Sequence, residues 1–315
     1  MESVSCNLCG GNKTKLLYTL ADFYLDRPDL RVQLKQCCTC GLVYQDPRPT
    51  VAEIGQHYPD DYEPYTNLNK ELPSGLLGRA IQYGLQKRVN YITRYKAQGR
   101  LLDIGCSTGI FLMMMRRAGQ WQVNGVEINA RAAQLAKEQR GLDVFPGRLE
   151  EAAFADQSFD AVTMWDVLEH VHDPLATLTE IHRILKPGGL VLARVPNLAS
   201  WDARLFQRYW AGLDAPRHLY LFTPKTLVQC IERAGFQMKT LDSKIGGYVT
   251  FVLSVKFVMT AYAWPMAVRD LVLKVLYHPI SRLLSVPFFY IPAILGKGPL
   301  LVAVAQKAGL EPSSE

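Results

Sequence analysis

The sequence predicts an α/β fold, a doubly wound and mostly parallel sheet, and three observations carry the prediction. Between about residues 100 and 242, short apolar runs alternate with stretches of helical period. The first run, Leu101-Leu102-Asp103-Ile104, leads straight into a bend with two glycines, Gly105-Cys106-Ser107-Thr108-Gly109. The next, Val123-Asn124-Gly125-Val126, ends on a carboxylate, Glu127. Strands that alternate with helices pair in parallel, with the helices covering the faces of the sheet.

Taken from the N-terminus, the chain opens on Cys6-Asn7-Leu8-Cys9-Gly10 and Cys37-Cys38-Thr39-Cys40-Gly41. Each knuckle turns two thiolates toward one ion, and the following glycine leaves backbone amides free to bond the sulfurs. Two knuckles complete a four-thiolate zinc site with Cys6, Cys9, Cys37 and Cys40 as ligands and Cys38 as a spare. A closed four-sulfur site has no open coordination position, so the expected zinc is structural. This zinc-ribbon-like module is expected over residues 1–66 and ends in a tyrosine-rich stretch that includes Tyr58, Tyr62 and Tyr65. Residues 67–75 read as a linker, and the rest of 67–96 as a covering helix from Leu76 to Lys96.

The α/β domain is expected over residues 97–244. Strands are predicted at 100–104, 122–126, 143–145, 159–164, 189–195 and 236–242, with helices at 110–118, 129–139, 175–185 and 224–234. Met113, Met114 and Met115 read as core on the first of these helices. Ligands of open parallel sheets gather beyond the carboxyl ends of the strands, which places Glu127 to accept the two hydroxyls of a ribose. The 105–109 bend is a cradle leading into a helix whose first amides point outward. A nucleoside-bearing cofactor follows from the pair. A nicotinamide dinucleotide fits less well, because Ser107 stands where its fingerprint wants a second glycine.

Composition agrees with a globular protein. With 315 residues the chain has room for one large domain with attachments, or for two domains. Apolar residues make up 49% and charged residues 20%, a balance that can bury a sizeable core. A net charge of +6 suits phosphates, nucleic acid or an anionic membrane surface and selects none of them. Met1-Glu2-Ser3-Val4-Ser5 has neither a basic segment nor an apolar core, so no signal peptide is expected and the cytoplasm is the expected compartment. Seven cysteines in such a chain point to metal or buried thiols before disulfides.

The bend, Glu127, Phe159-Asp160-Ala161-Val162, Asp166-Val167-Leu168-Glu169-His170-Val171-His172-Asp173-Pro174 and Leu185-Lys186-Pro187-Gly188-Gly189 stand in an order that resembles the class I S-adenosylmethionine-dependent methyltransferases. The resemblance spans about residues 95–242. It implies S-adenosylmethionine as cofactor, with contacts from Asp103, Gly105, Cys106, Gly109, Glu127, Ile128, Leu149, Glu150 and Asp166. It also implies a last antiparallel strand at 300–306, within 299–315, which makes the sheet seven-stranded and Rossmann-like. Many members carry an Asp for the adenine amino group where this chain has Arg148; adenine recognition then passes to the backbone at Leu149 and to Glu150. Cys106 is expected as a small filler and Ser107 to face the methionine carboxylate. The N-terminal module is similar to one found in bacterial methyltransferases of sugar and surface-polysaccharide pathways. In sugar C-methyltransferases its tyrosines line the acceptor pocket, which implies Tyr62 and Tyr65 here; packing of those rings on the main domain is the other reading.

Methyl transfer is an in-line displacement at a sulfonium, so the protein has to align the acceptor and, where needed, remove a proton. Three readings of Asp166, Glu169 and His170 are open. The polyprenyl-benzenoid O-methyltransferases hold a divalent metal on a similar motif, and sugar C-methyltransferases use a Glu-His pair in acid/base chemistry. Members without metal use the pair to brace a helix start. His218, in Asp214-Ala215-Pro216-Arg217-His218, is a second candidate: a general base on the loop that roofs the acceptor site, or a packed histidine holding that loop. Arg217 is expected to pair with an acceptor phosphate, Asn197 to line the same pocket, and His172 to face solvent.

Residues 245–298 exceed what a minimal fold needs. Between Tyr248 and Lys297 five basic residues face one acid, Asp270, within an apolar and aromatic background. That composition suits a helical pair lying in a membrane surface. A dimer interface or a substrate lid is the alternative. The reading that results is a methyltransferase acting on a sugar or lipid-linked glycan intermediate, cytoplasmic and peripheral at the inner membrane face, with homodimerisation open. An RNA methyltransferase with a zinc ribbon is the alternative, although the module lacks a dense basic face, which speaks against nucleic acid. A non-catalytic binding protein on the same fold is a third; intact Asp103, Gly105, Gly109 and Glu127 argue against it.

Overall fold

The computed structural model of the chain describes residues 1–58, 75–244 and 247–309, so Tyr62 and Tyr65 lie outside the described residues. Three antiparallel strands come first: β1 (Thr14–Asp22), β2 (Arg27–Cys37) and β3 (Val43–Gln45). After α1 (Gly75–Thr93) the alternation begins: β4 (Gly99–Ile104), α2 (Ile110–Arg117), β5 (Trp121–Glu127), α3 (Ala130–Arg140) and β6 (Asp143–Pro146). It continues through β7 (Phe159–Trp165), α4 (Pro174–Ile184), β8 (Leu185–Pro196), α5 (Trp201–Phe206), β9 (Tyr220–Leu221), α6 (Pro224–Arg233) and β10 (Phe236–Asp242). Four helices, α7 (Tyr248–Ala261), α8 (Met266–Tyr277), α9 (Pro279–Leu284) and α10 (Val286–Ile294), precede β11 (Leu300–Lys307).

The large sheet has seven strands in the order β10-β11-β8-β7-β4-β5-β6. Its inner pairs run parallel, and β11 inserts antiparallel between β8 and β10. Strands covered on both faces need largely apolar runs, and β7 supplies one, with Ala161 to Trp165 all buried and Thr163 its one polar member. Strand β8 begins at Leu185 and not at Gly189, because Phe159 pairs with Leu185 before the register shifts.

Helix ends follow their capping residues. Asp173 accepts the amide of Ala176 at 2.9 Å and Pro174 fixes the first turn of α4, whose Leu178 and Ile181 are buried against the sheet. Asn129 caps α3 in the same way through the Ala132 amide at 2.9 Å, and Gly141 ends that helix in the left-handed region. On α2, Met115 is buried and Met113 and Met114 pack against the same cluster, as their core reading expected.

The N-terminal strands do not stand alone. Two residues of the α/β domain, β9, pair with β3 and complete a second sheet of order β1-β2-β3-β9. Across the same seam Arg48 donates to the carbonyl of His172 at 2.7 Å and to the hydroxyl of Tyr220 at 2.8 Å. Asn7 donates to Asp173 at 2.8 Å. His172 was expected in solvent; its ring instead reaches the carbonyl of Pro49, at 3.1 Å, because the module covers it. Cys6, Cys37 and Tyr44 share one buried cluster with Leu102 and Val126 of the large sheet and Leu227 of α6.

The segment expected as a helical pair folds as four helices. Helix α7 is seated, with Val252, Ser254, Phe257 and Met259 buried, whereas α8 and α9 bury none of their residues. Among the described residues no helix is long and apolar enough to cross a membrane.

Candidate active site

The cradle between β4 and α2 is shaped by two glycines. Gly105 and Gly109 have φ of +70° and +79°, and a side chain at either would meet a neighbour: Val167 Cγ2 at 2.5 Å and Leu142 Cδ1 at 2.2 Å. The amides of Gly105 and Cys106 both donate to the carbonyl of Val126, at 2.8 and 3.2 Å, and that of Ser107 to Glu127 at 2.8 Å. Three amides at the bend are therefore spent on fastening the loop to β5, ahead of the helix that begins at Ile110. The Cys106 thiol turns into the core, where a side chain on Gly125 would strike its sulfur at 2.5 Å; it is the filler expected, and burial pushes its pKa up.

Glu127 sits at the tip of β5, with its second oxygen accepting the amide of Asn129 at 2.8 Å. Burial raises its pKa against the pull of those amides. Ile128 beside it is exposed. Asp103 is buried and accepts the hydroxyl of Thr163 at 2.6 Å; burial pushes it up to about 7. Beyond β6, Arg148 caps the turn Leu149–Ala152, its amide bonded to Glu151 at 2.8 Å, with Leu149 buried and Glu150 exposed. A cradle that admits no side chain, beside an acid fixed at the next strand tip, fits an adenosyl group carrying a short polar tail.

Asp166 is not gathered with Glu169 and His170. Its carboxylate is taken in two places by Arg194, through Nε at 2.8 Å and through Nη2. Burial alone would raise Asp166, and Arg194 outweighs it, holding the acid below the ordinary range. Asp166, Glu169 and His170 therefore do not form one cluster; Glu169 and His170 are gathered with His218 instead. Ligand atoms of Glu169, His170 and His218 all lie within 4.8 Å of one another, and the two rings meet edge to face at 4.5 Å. Two candidate sites of the sequence are one cluster, and Val167, packed on Gly105, ties it to the cradle.

The cluster is tightly held except at its reactive atoms. His218 donates Nδ1–H to the carbonyl of Gly212 at 2.9 Å, which leaves Nε2 as the proton acceptor, 3.8 Å from Asp214. His170 places Nδ1 3.0 Å from the carbonyl of Arg217 and 3.0 Å from the hydroxyl of Tyr58. Burial lowers both imidazoles, His170 to about 3, so both are neutral at pH 7. Glu169 is fully buried, and neither carboxyl oxygen has a hydrogen-bond partner among the described residues. Burial first, then Asp166, raises its pKa well above the usual value, which favours its protonated form.

Two expectations for the neighbourhood fail for one reason, burial. Arg217 does not wait for a phosphate: it is fully buried and bonds Asp22 at 2.7 and 3.0 Å and Asp214 at 2.7 and 3.0 Å. Asn197 is also fully buried, donating to the carbonyl of Gly298 at 2.8 Å and accepting the amide of Ala199 at 3.0 Å. Sequence reasoning missed Arg88, which lies 5.0 Å over Trp165, and Arg194, 5.4 Å over the same ring. It also missed Tyr58 at the cluster. A cation on a covering helix carries no sequence signal for such a place.

In the N-terminal module the thiols of Cys6, Cys9, Cys37 and Cys40 lie within 4.8 Å of one another, with Cys6 3.4 Å from Cys40 and Cys9 3.5 Å from Cys37. Tetrahedral zinc with Zn–S of about 2.3 Å separates its sulfurs by about 3.8 Å, so the four-sulfur donor set fits that ion. None of the seven cysteines forms a disulfide.

Comparison with known proteins agrees with this geometry. A family model described as a methyltransferase domain matches residues 77–241, and the chain belongs to that family. It is a class I S-adenosylmethionine-dependent methyltransferase. A ubiquinone biosynthesis O-methyltransferase of Cereibacter sphaeroides is 32% identical over 194 residues, 58% of this chain and 74% of that protein. A malonyl-(acyl-carrier protein) O-methyltransferase of Erwinia billingiae is 30% identical over 168 residues, 50% of this chain and 65% of that protein. The crystal structure of the cyclase SpnF superposes with a TM-score of 0.51 at 20% identity, covering 84% of this chain and 98% of that one, a likeness of fold.

Proposed function

We propose that the chain methylates a hydroxyl of a sugar or lipid-linked glycan intermediate at the cytoplasmic face of the membrane, and that Glu169, His170 and His218 form the acceptor end of the site. The observation that carries the reading is the buried Glu169 carboxyl without a partner, gathered with two neutral imidazoles. Burying such a group costs free energy unless a ligand completes it. Bound S-adenosylmethionine supplies an electrophilic methyl. Gly105 and Gly109 leave room for its adenosyl part, Glu127 accepts the ribose hydroxyls, Ile128 and Leu149 flank the base, and Arg88 with Arg194 supplies positive charge for the methionine carboxylate. Asp166 acts through Arg194. At the acceptor end His218 Nε2 would take the proton of the acceptor hydroxyl, and Glu169 would hold an acceptor oxygen through its O–H.

Oxygen as the accepting atom is supported by the relatives, both named O-methyltransferases. The sugar or glycan rests on the likeness of the N-terminal module to those of polysaccharide-pathway enzymes. That module we assign a structural zinc on Cys6, Cys9, Cys37 and Cys40, expected as one ion per chain by elemental analysis. A second reading, a divalent metal on Glu169, His170 and His218, is favoured by their ligand spacing; a second bound ion per chain, lost in His218→Ala, would establish it.

The test is incubation of methyl-labelled cofactor with membrane and soluble extracts, followed by identification of the labelled product. Label is expected in a glycan or its lipid-linked precursor. His218→Ala and Glu169→Gln are expected to lower transfer at least 100-fold while cofactor binding stays unchanged. Label confined to RNA would overturn the acceptor reading, and full activity of both variants would overturn the catalytic one.

A further inference from the structure

The four-helix excursion between β10 and β11 has no core of its own. From Tyr262 to Lys297 only Ala293 is buried. Leu283 and Leu284 are 71% and 75% exposed. A surface this apolar is not left to water in a folded protein.

The distribution of exposure selects the occupant. On α10 the exposed residues are Val286, Phe288, Tyr290, Ile291 and Ile294, and at about 100° per residue they sweep an arc of about 200°. On α8 the exposed apolar residues stand in two groups, Met266 with Tyr277 and Val268 with Leu271 and Val275, on either side of exposed Asp270 and Lys274. A protein partner, including a second copy meeting through a two-fold axis, covers one face of a helix, an arc nearer 100°. A solvent of hydrocarbon covers the wider arc. The charges agree: Lys274, Arg282 and Lys297 are exposed against one exposed acid, Asp270, a balance that complements anionic headgroups. None of the helices is long enough to span, so they lie in the plane of the leaflet, as amphipathic anchors do.

We propose that α8, α9 and α10 dock this enzyme on an anionic phospholipid leaflet by immersing their apolar arcs at the headgroup–acyl boundary. The excursion is joined to the roof of the acceptor site. Ser254 of α7 accepts the amide of Ala211 at 2.9 Å, and the neighbouring Gly212 carbonyl holds His218. Trp201 of α5 meets Phe288 of α10 with ring centres 4.7 Å apart. An amphiphilic acceptor anchored in the same leaflet would thus be offered at the roof. The docking surface stands independently of the acceptor's identity.

The full chain is floated with phosphatidylcholine vesicles with and without phosphatidylglycerol. Binding is expected, stronger at least tenfold with the anionic lipid, and the double substitution Leu283→Glu with Leu284→Glu is expected to lower it at least tenfold. Calorimetry with S-adenosylmethionine, expected unchanged in that variant, confirms its fold and separates a failure here from a failure of the functional reading. Quenching of tryptophan fluorescence by brominated lipid, present in the wild type and diminished in Trp264→Phe, reads insertion without disturbing the arcs. Absence of flotation overturns the proposal, as does flotation indifferent to the double substitution. A dimer by light scattering that the double substitution splits, with no vesicle binding, overturns it in favour of a second copy.

Discussion

Truncating Glu127 tests the cofactor site where its wiring is most explicit. The carboxylate accepts the amides of Ser107 and Asn129 at 2.8 Å each, so it both ties the cradle to β5 and presents its remaining lone pairs outward. A hydrogen bond to a charged group contributes about 1.5–3 kcal/mol, so Glu127→Ala forfeits about 3–6 kcal/mol of folding stability from two bonds, and less where water enters the space. Two ribose hydroxyls lose the same pair of bonds, which at about 1.4 kcal/mol per decade weakens S-adenosylmethionine by about 100- to 10,000-fold. Glu127→Gln keeps one carbonyl acceptor and meets one amide with its own N–H₂; its loss is expected at about 10- to 100-fold. Calorimetry with the cofactor measures binding, and urea unfolding separates loss of affinity from loss of fold. A folded Glu127→Ala protein that binds within about threefold of wild type would refute the ribose role, because no single charged bond is worth so little.

Gly109→Ala combines a left-handed φ, costing about 1–2 kcal/mol, with a Cβ 2.2 Å from Leu142, costing about 1–3 kcal/mol in overpacking. Urea unfolding should show the sum, and adding Leu142→Ala should relieve only the steric part; a wild-type midpoint for Gly109→Ala contradicts the account. Asp22→Ala strips one partner from a fully buried Arg217 and should cost about 3–5 kcal/mol, toward the lower end because Asp214 remains; a cost under about 1 kcal/mol contradicts it. Asp103 carries a pH signature. Burial lifts it to about 7 in the fold against 3.8 for the free side chain, so as pH rises across that window the unfolded chain ionises first and the fold loses stability. Melting temperatures should fall over that window in the wild type and less in Asp103→Asn; parallel curves would contradict the assignment.

Residues of the large sheet were legible because its strands are covered on both sides, and β4 and β7 therefore print as short, largely apolar runs. The cysteine knuckles were legible for a different reason: their geometry is local, fixed within four residues of chain. Strand β9 was not legible, since two residues hold no period. The fate of Arg217 was hidden too, because its partner Asp22 stands 195 positions away and a basic residue on a loop reads by default as exposed. Likewise Glu169 and His170 on one side and His218 on the other appeared as rival sites; only the packing of the roof loop against the end of β7 makes them neighbours.

Charge is sorted by this packing in a way that bears on methyl transfer. Asp22, Asp166 and Asp214 each stand against an arginine; Arg194 outweighs the opposing effect of burial at Asp166, and His218 together with Arg217 outweighs it at Asp214, which favours the ionised carboxylates. Glu169 forms no ion pair with an arginine, and burial favours the neutral form of Glu169, His170 and His218. An imidazolium standing in the site beforehand would repel a sulfonium, and in a medium of low dielectric that repulsion is strong. A neutral imidazole avoids it and still has a free Nε2. Under the proposed role of His218 as the base, Asp214 at 3.8 Å would compensate the charge that His218 gains with the acceptor proton.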